Sequence, residues 1–369
     1  MLAIIVFIII LSILVMIHEL GHFIAAKRAG IGVEEFGFGL PPRIWGKEVG
    51  ETIYSINWLP FGGFVRLVGE DPTDKKRDAK NSFYIKSLPA RISVVLAGVF
   101  MNFALAVVIF YIVVGALGFK VSLPLLVEHQ FKFVNQSEQV LVVDVAPGSV
   151  AAASGIAIGD SIIYAQGQKI GQVSDLQKII RSSQDQSLTL ILENPVNNKT
   201  RSVVVTPKYS EEIKTPVIGV SLGELAVLSY QTRGQKLFSG FIHSYNILDY
   251  STRIFGRLIS YSISQKDISP VSEGVSGPIG IAQITQQAVT LGPISVLQLV
   301  GLLSLNLAIV NILPIPALDG GRFFFLIIES ITRRRIYPQV EKWAHQIGFA
   351  ILLGLIILIT YNDLLKIFK

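Results

Sequence analysis

At 369 residues, 51% apolar and only 16% charged, with a mean hydropathy of +0.55, the chain is too apolar for an ordinary soluble globular protein and long enough for two or more domains. Its net charge of +6 comes from basic residues flanking apolar segments, not from a basic face interleaved with aromatics, so no nucleic-acid partner is expected and membrane topology explains the charge. The absence of cysteine excludes disulfide frameworks and thiolate metal sites, leaving His, Asp and Glu as metal ligands.

The first predicted element is a helix from Leu2 to Ala26, long enough at about 1.5 Å per residue to cross a hydrocarbon core of roughly 30 Å. No basic residue precedes it, so it reads as a retained span and not a cleaved leader. Toward its end lies His18-Glu19-Leu20-Gly21-His22. Residues four apart share a helix face, so His18 and His22 can offer two imidazole nitrogens to one metal ion, with Glu19 within reach of a metal-bound water. Ionisable groups at membrane depth cost several kcal/mol and usually mark a function; the bland alternative is a histidine pair packing two helices.

Basic residues crowd between Lys27 and Arg91, which by the positive-inside bias puts this loop in the cytoplasm and the N-terminus outside. Within it, Phe36 to Pro42 and Trp58 to Arg66 mix glycine, proline and aromatics around a strand-like piece, Thr52 to Trp58. A small curved sheet beside the metal, its edge open to a substrate strand, fits this pattern, and so does an ordinary cytoplasmic hairpin. Ile92 to Leu117 is the second span, carrying Gly98, Asn102 and Gly115; Asn102 is expected to hydrogen-bond another helix.

From Gln139 to about Tyr209 the pattern becomes soluble α+β, with strands at Val140 to Val145, Leu188 to Leu192 and Ser202 to Val205 and a helix near Ser174 to Arg181. The stretch Ala146 to Ile170 resembles a PDZ domain of the bacterial protease-associated kind, a fold that binds extended peptides by strand addition and also serves as a steric block near active sites. Phe238 to Ile259 is amphipathic, suited either to the outer membrane surface or to packing on the PDZ-like domain.

The third span, Ile294 to Leu313, breaks at Pro314 and Pro316 just before Ala317-Leu318-Asp319-Gly320-Gly321. Spans one and three run in the same direction, so Asp319 returns to the membrane side and depth of His18 and His22 and is the natural third ligand, leaving a fourth position for water. Asn311, shortly before it, is placed to bond a substrate backbone or a developing oxyanion, or else to join helices. Arg333 to Arg335 are again cytoplasmic, and Ile347 to Tyr361 with its flanks makes a fourth span that ends outside.

The segment Ser304 to Gly321, together with HELGH, resembles the site-2 protease family of intramembrane zinc metalloproteases. PFGGFVRL at 60–67, the single PDZ-like insert between spans two and three, and SGPIG at 276–280 are similar to the bacterial branch that includes the regulator of sigma-E protease. The resemblance implies zinc held by His18, His22 and Asp319, Glu19 as catalytic base, Asn311 in substrate handling, and Gly37, Phe38, Gly39 and Leu40 holding an unwound substrate. It further implies a bacterial inner-membrane enzyme acting on transmembrane proteins already trimmed by another protease, such as anti-sigma factors, or on remnant signal peptides.

The expected fold is thus a polytopic α-helical membrane protein with four transmembrane helices, a membrane-associated β-rich loop and an extracytoplasmic α+β PDZ domain. Its divisions are 1–117 for the first two spans and β-rich loop, 137–209 for the PDZ-like domain, 210–290 for the segment after it, and 291–369 for the last two spans. A competing reading is a non-catalytic membrane scaffold that recruits partners through the PDZ-like domain and uses zinc only for folding; such a site has no use for Glu19.

Overall fold

The computed structural model describes residues 2–70, 75–194, 199–266 and 276–368. They form two compact units, one from Met1–Val113 with His243–Lys369, the other Val114–Ile242.

The first unit begins with α1 (Leu2–Arg28). A helix is what an apolar run must form in hydrocarbon, where each backbone N–H needs an internal partner. It ends where Lys27 and Arg28 suit the negative end of the helix dipole and Gly30, at φ 63°, turns the chain out. Then follow β1 (Val33–Val49) and β2 (Thr52–Leu67), joined through Gly50 at φ 64°. Both strands double back, at Gly39 (φ 78°) and Gly62 (φ 76°), so Gly37 pairs with Ser55 on one side and Phe64 on the other. The result is a small curved sheet whose segments run in the order 63–67, 33–38, 53–57, 43–49. Ala26, Ile31, Val33, Leu67 and Val94 form its buried junction with the helices. Glu35, buried within it, takes two hydrogen bonds from Arg43, at 3.0 and 2.7 Å. The second apolar helix, α2 (Leu88–Ala116), crosses α1 where Gly21 lies against Ala97; a Cβ on Gly21 would stand 2.7 Å from the Ala97 carbonyl carbon.

The second unit contains β3 (Lys120–Pro124), β4 (Asn135–Val145), α3 (Val150–Ala153), β5 (Ser161–Ala165), β6 (Gln168–Lys169), α4 (Val173–Ser182), β7 (Leu188–Asn194), β8 (Lys199–Val205), β9 (Lys208–Ser210), β10 (Thr215–Val217), β11 (Val220–Ser229) and α5 (Arg233–Leu237). Its main sheet has seven strands in the order β3-β11-β4-β5-β7-β8, with β6 on β5. Leu176 and Ile180 of α4 enter a core with Val140, Val142, Ile162, Leu190 and Leu192. The sheet draws β3 and β11 from outside 137–209, because β11 pairs with β4 along nearly its full length and with β3 on its other side. Buried Asp160 accepts the N–H of Ala157 at 2.8 Å and pairs with Arg201, closing the turn that precedes β5.

The chain then returns to the first unit through α6 (Ser239–Gln265), followed by α7 (Pro278–Leu291), α8 (Pro293–Ile312), α9 (Asp319–Thr332) and α10 (Pro338–Phe368). Gly292, at φ 107°, is the joint between α7 and α8. Buried Asp363 of α10 accepts the N–H of Gly280 at 2.8 Å and so ties the last helix to the first turn of α7. Among the described residues four helices are long and apolar enough to span a membrane: α1, α2, α8 and residues Gln339–Leu365 of α10. The fourth is longer than the run 347–361 suggested, because Pro338 starts the helix well before the apolar residues begin.

Candidate metal centre

Helix periodicity puts His18 and His22 on one face of α1, buried, and the tight turn after α8 brings Asp319, the first residue of α9, against them. Asp319 Oδ2 lies 3.0 Å from His18 Nε2 and 3.2 Å from His22 Nε2, and the two nitrogens are 3.2 Å apart. A tetrahedral ion with ligand bonds of about 2.0–2.1 Å separates its donors by about 3.3 Å. Asp319 Oδ2 is buried yet accepts no hydrogen bond, and an anionic oxygen of that kind facing two imidazole lone pairs is satisfied by a divalent cation. The donor set, two imidazoles and a carboxylate without thiolate, fits zinc.

The far side of each imidazole sets its tautomer. His22 Nδ1 donates to the carbonyl of Val94 at 2.8 Å, which leaves the Nε2 lone pair facing the cluster. His18 Nδ1 lies 3.3 Å from the side-chain amide of Asn102, a fully buried residue whose Oδ1 otherwise has no partner. An amide turned to offer Oδ1 to His18 Nδ1–H satisfies both groups and again leaves Nε2 for the metal. Ser304 of α8 holds this part of α2 by donating to the Asn102 carbonyl at 2.7 Å. Both supports come from α2, which passes so close that it has room only for Gly98: a Cβ there would stand 2.6 Å from His18 Cε1.

Glu19 lies next to His18 on α1, and its Oε2 accepts the N–H of Val65 at 3.0 Å, while Ser12 Oγ donates to the Pro60 carbonyl at 3.4 Å. The 60–65 edge of the sheet therefore runs along α1. Asn311 on α8 has its amide nitrogen 3.4 Å from His18 Nε2. Gly37 and Phe38 lie in an inner segment of the sheet with strand partners on both sides, and Asn57 Nδ2 donates to the carbonyls of Phe38 and Gly39 at 3.1 and 3.2 Å; the side chains of Phe38 and Leu40 are exposed. His18, Glu19, His22, Asn311 and Asp319 are thus gathered at one place.

Sequence reasoning missed Gly98, Val94 and two ion pairs that anchor α9. Arg322 pairs with Glu70 just past β2, and Arg91 at the start of α2 makes a forked pair with Glu329 at 3.0 and 2.5 Å. The only advance signal was that Gly98 and Asn102 are unusual within an apolar span.

The sequence model described as Peptidase family M50 matches residues 6–355. A Clostridium perfringens relative bearing a zinc metalloprotease name is 33% identical over 96% of this chain and 96% of its own. Zinc metalloprotease RasP of Geobacillus kaustophilus is 29% identical over 99% of this chain and 98% of its own, and regulator of sigma-W protease RasP of Bacillus subtilis is 28% identical over 99% of each. The solved PDZ domain of an SdrC-like protein from Listeria innocua aligns with 23% of this chain and 92% of that domain at 21% identity, with a TM-score of 0.21. From the family match and the nearly full-length relatives, the chain belongs to peptidase family M50 and is a multi-pass membrane zinc metalloprotease.

Proposed function

We propose that this enzyme cuts the transmembrane segments of single-span proteins already shortened by another protease, of the anti-sigma-factor type or remnant signal peptides. The observation that carries the reading is that His18, Glu19 and His22, on a helix apolar enough to span a bilayer, converge with Asp319, which follows another such helix. A relative named as a regulator of a sigma factor supports the substrate class.

His18, His22 and Asp319 hold the zinc, which when bound polarises a peptide carbonyl and lowers the pKa of water. Glu19 is the general base: its carboxylate takes a proton from the attacking water and passes it to the leaving amide nitrogen. Asn311, one hydrogen-bond length from His18, holds the scissile carbonyl by its amide N–H. A helical substrate hides that carbonyl in its own backbone bonds, so it must unwind first, and the segment Gly37, Phe38, Gly39 and Leu40 holds the opened strand, with the exposed Phe38 and Leu40 side chains as its contact surface. The PDZ-like unit either takes an extended peptide or bars bulky ectodomains.

The basic residues of the 27–91 loop and of 333–335 support an orientation in a bacterial inner membrane with the active site toward the cytoplasm and both termini and the PDZ-like unit outside. The test is cleavage of truncated single-span substrates in detergent by the wild type and Glu19→Gln, with bound metal quantified in both. Loss of cleavage with metal retained is expected. Equal cleavage by both removes Glu19 from the chemistry, and zinc binding without cleavage by either favours the scaffold.

A further inference from the structure

Between the end of α8 and Asp319 the chain reverses through Leu313-Pro314-Ile315-Pro316-Ala317-Leu318. The turn is held internally by Ile315 N–H to the Leu313 carbonyl at 2.7 Å and Leu318 N–H to the Ile315 carbonyl at 3.1 Å. Two glycines follow because neither position has room for a Cβ: one on Gly321 would come within 2.8 Å of the Ile315 carbonyl carbon, and one on Gly320 would overlap the backbone of Ile312 and Leu313. In the middle stands Ala317 at φ 81°, a left-handed conformation that a residue with a Cβ adopts only when its surroundings impose it.

The closed turn Ile315 to Leu318, with Pro316 in its second place, itself calls for this φ at its third residue, and the last span braces it there. The Ala317 N–H is donated to Nδ1 of His345 on α10, at 2.8 Å. Three residues on, and so on the same face of α10, Gly348 lies flat against the preceding residue, where a Cβ would meet the Pro316 carbonyl carbon at 2.6 Å. The imidazole is itself positioned: Phe325 of α9 meets it edge-on, with centroids 6.0 Å apart and planes at 70°. With Nδ1 accepting, the ring proton sits on Nε2, 4.0 Å from a carboxylate oxygen of Glu341.

We propose that His345 is a positioning residue of the metal centre, holding Ala317 in its left-handed conformation from the fourth span and thereby setting where Asp319 enters the cluster. This rests on Asp319 being a metal ligand. The fourth span is then part of the site's supporting frame, and an event that shifts α10 changes zinc affinity without touching a ligand.

Zinc affinity by chelator competition, the absorption spectrum of the Co²⁺-substituted protein and thermal unfolding are measured in detergent for the wild type, His345→Phe, His345→Asn, Ala317→Gly, His345→Phe with Ala317→Gly, and Asp319→Ala. Removing a supporting hydrogen bond to a metal site weakens binding about 10–100-fold, so His345→Phe is expected to lose affinity on that scale and to alter the Co²⁺ spectrum. His345→Asn keeps an acceptor and stays close to wild type. Ala317→Gly recovers most of the affinity in the His345→Phe background, because glycine occupies φ > 0 without needing to be held there. Wild-type zinc affinity in His345→Phe overturns the proposal. So does equal loss in His345→Phe and His345→Asn with no recovery from Ala317→Gly, which reduces His345 to packing. Wild-type affinity in Asp319→Ala overturns the ligand assignment itself, a distinct outcome that takes the proposal with it.

Discussion

Gly98 lies directly on His22: a side-chain carbon built at Gly98 overlaps His22 Nε2 and stands 2.8 Å from His18 Nδ1. The second span thus passes over the metal cluster as bare backbone, and this closeness lets Val94 and Asn102 of the same helix reach the two imidazoles. Gly98→Ala is expected to weaken zinc binding by on the order of 10–100-fold and to lower cleavage in proportion, since the methyl group occupies space the ligand nitrogens need. Gly115→Ala on the same helix meets no atom within 4 Å and should leave metal content unchanged, with stability equal or up by about 0.5–1 kcal/mol. Zinc content after dialysis against a graded chelator separates the two variants.

Asn102 tests the tautomer argument. If its amide presents oxygen to His18, Asn102→Asp retains an acceptor and keeps zinc, whereas Asn102→Leu weakens binding about 10–100-fold while His22 stays supported by the Val94 carbonyl. Nitrogen-15 chemical shifts of the two imidazoles in the metal-free protein report the outcome: a proton on Nδ1 of both rings is expected in the wild type, and a mixed population for His18 in Asn102→Leu.

The Arg91–Glu329 pair joins the second span to the helix that begins with Asp319, and its arginine is almost fully buried. Arg91→Met leaves Glu329 with only Arg335, 3.7 Å away, so destabilisation of about 3 kcal/mol is expected, the low end for breaking a buried pair. Arg91→Met combined with Glu329→Leu should recover much of this loss, because no uncompensated carboxylate remains. Thermal unfolding in detergent of both single variants and the double one gives the coupling directly.

Glu35 gives the β1–β2 sheet a pH dependence. Burial opposes its ionisation, but hydrogen bonds from Arg43 and Ser55 and the nearby charges of Arg43 and Arg66 outweigh it and hold the carboxyl below its usual value. Since folding lowers this pKa, the stabilisation is complete above the unfolded glutamate value of about 4.3 and is lost as pH falls through the lower folded value. The wild type should therefore unfold at a higher temperature than Glu35→Gln at pH 7, and the gap should close on acidification below pH 4. A gap that stays constant with pH would mean that the carboxylate charge does not hold the sheet.

The parts of this protein legible in its sequence are those governed by short-range rules. HELGH places its histidines on one face because the helical repeat is local, the four spans follow from apolar length, and Asp319, expected beside the histidines from the order of the spans, meets both. The strand-like pieces of the second unit, Val140 to Val145 and Leu188 to Leu192, are likewise found within β4 and β7. Tertiary structure decided what touches what. Val94 looks like any residue of an apolar helix, and Gly98 and Asn102 stand out there without showing what they touch, until α2 is laid across α1. His345 lies 28 residues from the backbone N–H it holds, and β11 enters the sheet beside strands from the other end of its unit. Such contacts depend on which faces meet across a fold, and neither local propensity nor hydrophobic periodicity carries that information, so the sequence offered the candidate ligands and an interhelical Asn102, while Val94, Gly98 and His345 came only from the fold.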